Sequence, residues 1–135
     1  MPTEVEWERA ARGKDGSVYS YGNEFNAALG NVGDTGIGQT SAVGIFPKGE
    51  LQQEDVSDLT GNVWEWCLSE YKKPEVKPNL EARKEKLGTD KARVLRGGSW
   101  NDDGVYARAA YRYYIHPAYR LVKFGFRLVS VRPPS

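Results

Sequence analysis

Thiol, imidazole and carboxylate chemistry is where a reading of this sequence begins, and two of the three are nearly missing. Cys67 is the only cysteine and His116 the only histidine. One cysteine excludes an intrachain disulfide and any cysteine-rich zinc site. One histidine excludes centres built on several imidazoles. No nucleophile or orienting carboxylate adjoins His116 in the sequence, which makes it a poor general base. The chain is rich instead in tyrosine and arginine near its end. "YRYYIHPAYR", Tyr111 to Arg120, holds four tyrosines and two arginines, and five of the eight tyrosines fall between Tyr106 and Tyr119. Tyrosine combines a large rigid ring, a polar tip and only two torsions to freeze, which suits a binding surface better than a reaction centre.

The charge distribution sharpens that reading. The formal charge is +1, yet Asp103 is the last acidic residue, and Arg108, Arg112, Arg120, Lys123, Arg127 and Arg132 follow it. Such a basic, aromatic end fits either a nucleic-acid face or a segment whose arginines pair with the eighteen carboxylates of the first two thirds. A pI near 7.8 favours internal pairing over the strongly basic footprint of a nucleic-acid binder.

These residues must be positioned by local elements, and one domain over residues 1–135 suffices. "PTEVEWERAARG" predicts a helix over Glu4 to Arg12: Thr3 and Glu6 form a capping box, Trp7, Ala10 and Ala11 share a face, and Gly13 ends it. Residues 13–49 read as ordered loops with short strands, anchored by scattered aromatic and aliphatic residues. "DLTGNVWEWCLSEY" has strand alternation with Trp64, Trp66 and Leu68 on one side. Residues 72–92 read as a charged surface insertion with a short helix near Leu80 to Leu87. "RVLRGGSW" resumes a strand, with Gly97 and Gly98 allowing a bulge or close approach. "KFGFRLVSV" predicts a last strand with Phe124, Phe126 and Leu128 on one face. No apolar run approaches the roughly 20 residues that span a bilayer.

Four pieces in this order, "PTEVEWERAARG", "GQTSAVGIFP", "LTGNVWEWC" and "RVLRGGSW" with "GFRLV", resemble the formylglycine-generating-enzyme/sulfatase-modifying-factor family. The likeness runs from Pro2 to Val131. It implies an α+β, loop-rich C-type lectin-like fold of that type, with an N-terminal part of the usual domain missing. An uncovered strand edge implies pairing with another chain, in a homo-oligomer or otherwise.

The resemblance also implies which chemistry to look for. The family's copper oxidases use two cysteines shortly after the Gly-Gly-Ser-aromatic motif, as two thiolates suit Cu(I). The corresponding positions here are approximately Asp102 and Ala107. A related branch uses non-haem iron held by three histidines, which one histidine cannot supply. Cys67 reads as a packed, inert thiol. No catalysis is expected, with an oxidoreductase of altered chemistry as the alternative. A structural calcium is implied near "GNVWEW", with Thr60, Asn62 and Glu65 as oxygen donors; hydrogen bonding is the other role open to Glu65.

Fold without family chemistry resembles the variable proteins of diversity-generating retroelements, which display a hypervariable stretch between a "GGSW" and a "GFR". Substituting the two leading adenines of an AAC or AAT codon reaches Asn, Asp, Gly, Val, Tyr, Ala, Ile, His, Leu and Phe, all found between Asn101 and Phe124. Arg108, Arg112, Arg120 and Pro117 read as fixed points, and Lys123 is the exception. The expected variable segment is 101–124. Its ligand-binding residues are Asn101, Asp102, Asp103, Tyr106, Tyr111, Tyr113, Tyr114, Ile115, His116, Tyr119, Leu121, Val122 and Phe124. Trp100, Arg108, Arg112, Phe126 and Arg127 are expected in the scaffold. The expected partner is a protein or other macromolecule, with nucleic acid less favoured.

Overall fold

Thr3 opens the fold as the sequence predicts. Its hydroxyl accepts from the Glu6 amide at 3.3 Å, and the Glu6 carboxylate accepts from the Thr3 amide at 2.8 Å. Helix α1 then runs Glu4–Arg12 and stops at Gly13, whose φ is 61°. The structure is a computed structural model describing residues 1–49, 55–83 and 90–130.

Glu6 does more than cap the helix, because it also pairs with Arg83. Burial pushes its pKa up, but the Thr3 amide, the Arg83 guanidinium and the Thr3 hydroxyl together outweigh burial and hold it below the usual carboxylate value. A carboxyl lowered in the folded state contributes stability that is present above its unfolded value, near 4.5, and is lost as pH falls through the folded value. Thermal unfolding of the wild type is therefore expected to drop more steeply than that of Glu6→Gln on acidification below about pH 4.5. Parallel pH profiles would contradict this role.

Four strands follow: β1 (Trp64–Glu70), β2 (Arg93–Arg96), β3 (Tyr113–Ile115) and β4 (Phe124–Gly125). They form one sheet in the order β3-β2-β1-β4, with β4 parallel to β1 and the other pairs antiparallel. The alternation expected in β1 is present, but both of its faces are covered. Glu65, Cys67 and Ser69 lie on the side of α1: the Trp7 indole N–H donates to Glu65 at 2.6 Å, and the Glu4 amide donates to Ser69 Oγ at 2.9 Å. Trp64 and Trp66 lie on the opposite side, against rings from the C-terminal segment. Trp7, Ala11, Leu59, Cys67, Val94 and Ala109 form the helix-side core.

Gly97 and Gly98 are needed where they stand. Both have positive φ, 98° and 73°, and a Cβ on Gly97 would sit 3.0 Å from the Trp7 ring. On Gly98 it would meet the Ala107 Cβ at 2.9 Å. Only glycine accepts both the conformation and the close approach.

Three regions differ from the sequence reading. Residues 13–49 contain no strand; they are held by single bridges, Tyr19 to Gly22 and Asn31 to Gly61, and by 3-10 turns at Ala27–Leu29, Gly33–Thr35 and Pro47–Gly49. The short helix expected near Leu80 to Leu87 is a 3-10 turn over Leu80–Arg83, and its remainder lies outside the described residues. The expected last strand is only Phe124–Gly125. Phe126 and Leu128 are 64% and 79% exposed, so the expectation that Phe126 belongs to the scaffold fails. The physical reason is Arg127. Its guanidinium turns back to Glu65 at 2.5 and 2.6 Å and to the Ser57 and Asp58 carbonyls, while ladder pairing with β1 ends at Gly125.

Candidate ligand-display face

The segment between β2 and β4 is tied at both ends. Next to the Gly97-Gly98 turn, Asp102 accepts from the Trp64 indole at 2.8 Å, from Ser99 Oγ, and from Lys123 Nζ at 3.0 Å. Asp102 and Lys123 thus close the loop that contains all the intervening residues. The exception to the adenine pattern, Lys123, is the far half of this clamp. Asp102, half-buried, therefore ties the segment to the scaffold. Replacing it with Ala leaves the Trp64 N–H and the Lys123 ammonium without their acceptor, and is expected to cost about 1.5–3 kcal/mol in chemical unfolding. A cost below about 0.5 kcal/mol, the usual range of a surface change, would show the clamp to be idle.

A second set of ties runs through buried charge. Arg112 donates to both Glu4 oxygens, and Arg96, almost fully buried, donates to Glu4 and Glu8 at 2.7 Å each. Arg112 on Glu4 and Arg127 on Glu65 thereby pair C-terminal arginines with carboxylates of the first two thirds, as expected from the charge distribution. Arg112 also lies 4.8 Å above the Tyr71 ring, and its pairing with Glu4 raises its pKa.

Between these ties Tyr106, Tyr111, Tyr113 and Tyr114 form a series of ring contacts through Trp64 and on to Tyr71. Tyr106 meets Tyr111 edge-on with centroids 5.1 Å apart; Tyr111 lies 6.0 Å from Trp64, and Trp64 lies 5.1 Å from Tyr113. Tyr113 is 6.4 Å from Tyr114, which stacks on Tyr71 at 3.9 Å and 16°. Strand alternation explains how the series turns a corner. In β3, Tyr113 stands opposite Leu95 and Tyr114 opposite Val94, so the two rings point to opposite faces of the sheet. The tyrosines wrap the β3 edge instead of lying on one plane.

Exposure divides the expected site residues. Asn101, Asp103, Tyr106, Tyr114, Tyr119, Leu121 and Val122 are exposed. Tyr119 is 59% exposed and its amide donates to the His116 carbonyl, closing a turn around Pro117. Tyr111, Tyr113, Ile115, His116 and Phe124 are half-buried, with Phe124 edge-on to Trp66. His116 Nδ1 accepts from the Ala118 amide at 3.3 Å. Tyr71, which the sequence reading missed, joins the face from the end of β1. The only sequence signal for it was an aromatic residue directly after a strand.

The family's chemistry has no thiols here. Ala107 is buried with no reactive group, and Asp102 is committed to the clamp. Cys67 lies in the helix-side core, 1% exposed, where burial pushes its thiol far up from the ordinary value. Around "GNVWEW", Glu65 accepts from Trp7 and Arg127, Asn62 Oδ1 accepts from the Ser41 amide at 3.0 Å, and Thr60 Oγ1 pairs with Ser20 at 2.9 Å. Among the described residues no three His, Cys, Asp or Glu side chains converge on a metal-sized site. Glu65, the one charged group among Thr60, Asn62 and Glu65, is paired with Arg127. Among the described residues no helix is long and apolar enough to cross a membrane.

Comparison with known proteins agrees with this architecture. Residues 1–132 match the model of the sulfatase-modifying factor enzyme 1-like domain. The chain is 36% identical to inactive C-alpha-formylglycine-generating enzyme 2 of Bos taurus, over all of this chain and 46% of that one. It is 34% identical to hercynine oxygenase of Mycolicibacterium thermoresistibile, over 95% of this chain and 31% of the relative. The chain thus spans under half the length of these curated relatives. Among solved structures, Treponema denticola variable protein 1 superposes with a TM-score of 0.73 at 30% identity, covering 93% of this chain and 45% of that one. The helix on a curled four-stranded sheet, the glycine turn after β2 and the match over nearly the whole chain lead to one conclusion: this chain belongs to the sulfatase-modifying factor enzyme 1-like family and has its C-type lectin-like fold.

Proposed function

We propose that the chain is a non-catalytic ligand-display domain whose segment 101–124 is a retroelement-diversified face that binds a protein or other macromolecule through tyrosine. The observation that carries this reading is the contrast within one segment. Asp102, Arg112 and Lys123 are tied into the scaffold, while Tyr106, Tyr114, Tyr119, Leu121 and Val122 stand exposed between them. Fixed ties with free positions between them allow sequence to change without loss of fold. Ring-to-ring contact along the series holds the tyrosines in place before a ligand arrives, which limits the entropy lost on binding. The lack of thiols at the positions of Asp102 and Ala107, and the similarity to an inactive bovine relative and to a variable protein, support a role without catalysis. Pairing of Arg112 and Arg127 with Glu4 and Glu65 leaves less free positive charge for nucleic acid, which favours a protein ligand.

The test is a library in which Asn101, Asp103, Tyr106, Tyr114, Tyr119, Leu121 and Val122 are randomised together, sorted for protease resistance. Most members are expected to fold, whereas a matched library at Asp102, Arg112, Tyr113 and Lys123 is expected to fail. Equal failure of both libraries would sink the display reading, because the exposed positions would then be structural.

A further inference from the structure

Beside the tyrosine face, a surface cleft of about 430 Å³ opens between the end of α1 and the segment that follows the glycine turn. Arg12, Ser17, Val18, Arg108, Tyr111 and Arg112 line it. We propose that this cleft is a fixed oxyanion subsite, taking a carboxylate, phosphate or sulfate group carried by the displayed face's ligand. The proposal rests on the display reading, since Tyr111 belongs both to the cleft and to the ring series.

Charge and donor supply carry the argument. Three guanidiniums line one cleft, with no lysine and no carboxylate on its wall among the described residues. Of the nearby acids, Glu4 is shared by Arg96 and Arg112, and Glu8 by Arg96 and Arg12. Four guanidiniums therefore face two carboxylates once Arg108 is included, and the excess is positive. Arg108 is the group that supplies it. Its Nε donates to the Val105 carbonyl at 2.9 Å, its Cζ lies 5.9 Å from the Tyr111 ring centroid, and its two terminal nitrogens have no acceptor among the described residues. Arg108 is exposed, whereas Arg12 Nε is buried without an acceptor. A planar guanidinium braced at Nε and against a ring presents its remaining N–H groups in a fixed fork, the geometry that meets an oxyanion in two parallel bonds. Ser17 adds a hydroxyl on the same wall. Arg108 also reads as one of the positions outside diversification, so the subsite would stay constant while the tyrosines around it change.

The test uses the full chain, with inorganic phosphate and acetate as probes at constant ionic strength held by chloride. The side-chain N–H resonances of Arg12 and Arg108 are followed by NMR. Phosphate is expected to shift both along one saturable curve, and Arg108→Gln is expected to weaken it roughly tenfold, the loss of one charge-assisted bond, with unfolding unchanged. Saturation by acetate as well assigns the site to any oxyanion, acidic side chains included. Saturation by phosphate alone assigns it to phosphorylated or sulfated groups. Shifts that track ionic strength only, or that persist in Arg108→Gln, overturn the proposal. Saturable binding in a segment found not to be diversified would keep the cleft and remove the display reading, so the two fail separately.

Discussion

Glu4→Gln is expected to lower the free energy of unfolding by about 3–5 kcal/mol, the largest effect of any single substitution considered. Glu4 is 5% exposed and answers two arginines at once. Arg96 is 1% exposed and cannot turn to water when its acceptor is neutralised; Glu8 alone would have to compensate it. Arg112 would lose the carboxylate charge and at least one of its two bonds to residue 4, keeping the Lys72 carbonyl at 2.8 Å. The cost is that of a buried positive charge left without its partner, more than that of one lost hydrogen bond. Glu4 also anchors the start of α1 to the base of the display segment, so the effect should extend to β3. Hydrogen exchange at Tyr113 and Tyr114 is expected to accelerate in the variant. A loss under about 1 kcal/mol would mean that the charge network is a surface ornament of the fold and does not hold the segment.

The second large effect is on binding and not on stability. Tyr106, Tyr114 and Tyr119 replaced together by Ser should change unfolding by about 1 kcal/mol or less, because all three rings are substantially exposed. Binding of a macromolecule recovered by selection on the wild-type face should fall at least about thirtyfold, as loss of even one aromatic hot spot costs about 2 kcal/mol or more. Tyr113→Ser serves as the contrast. Its ring packs on Trp64 beneath the segment, so it should destabilise by about 1–3 kcal/mol. The reverse pattern, a stable Tyr113→Ser and an unfolded triple variant, would make the exposed rings part of the core.

The sequence showed most clearly what depends on neighbours in the chain. The capping box at Thr3 and Glu6 is a contact over three residues, and the glycine pair before Ser99 is a local conformational demand. The pairing of late arginines with early carboxylates was legible as a class, because all acidic residues precede Gly104. Which pairs form was not, because Glu4 to Arg112 spans 108 positions and depends on the placement of α1 over β2. Register decided the rest. Tyr113 and Tyr114 look equivalent in sequence, yet one residue of offset sends them to opposite faces of β3. Asp102 looked like a contact residue and Lys123 like an anomaly until the fold brought them to 3.0 Å. Phe126 and Leu128 kept strand alternation in the sequence, but no strand partner follows Gly125 among the described residues, and alternation without a partner does not bury a side chain.

The central claim is that segment 101–124 is a diversified face, and the gene's own locus tests it most directly. Sequencing should reveal a downstream near-copy of the codons for Arg93 to Val129, with a reverse transcriptase nearby. Mismatches should be confined to adenines of the copy, and should fall in codons for exposed positions such as Tyr106, Tyr114 and Tyr119 while sparing those for Asp102, Arg112 and Lys123. A locus without such a copy, or a copy whose mismatches fall on the clamp residues as often as on the exposed ones, would contradict the account. The tyrosines would then be a fixed site for one ligand.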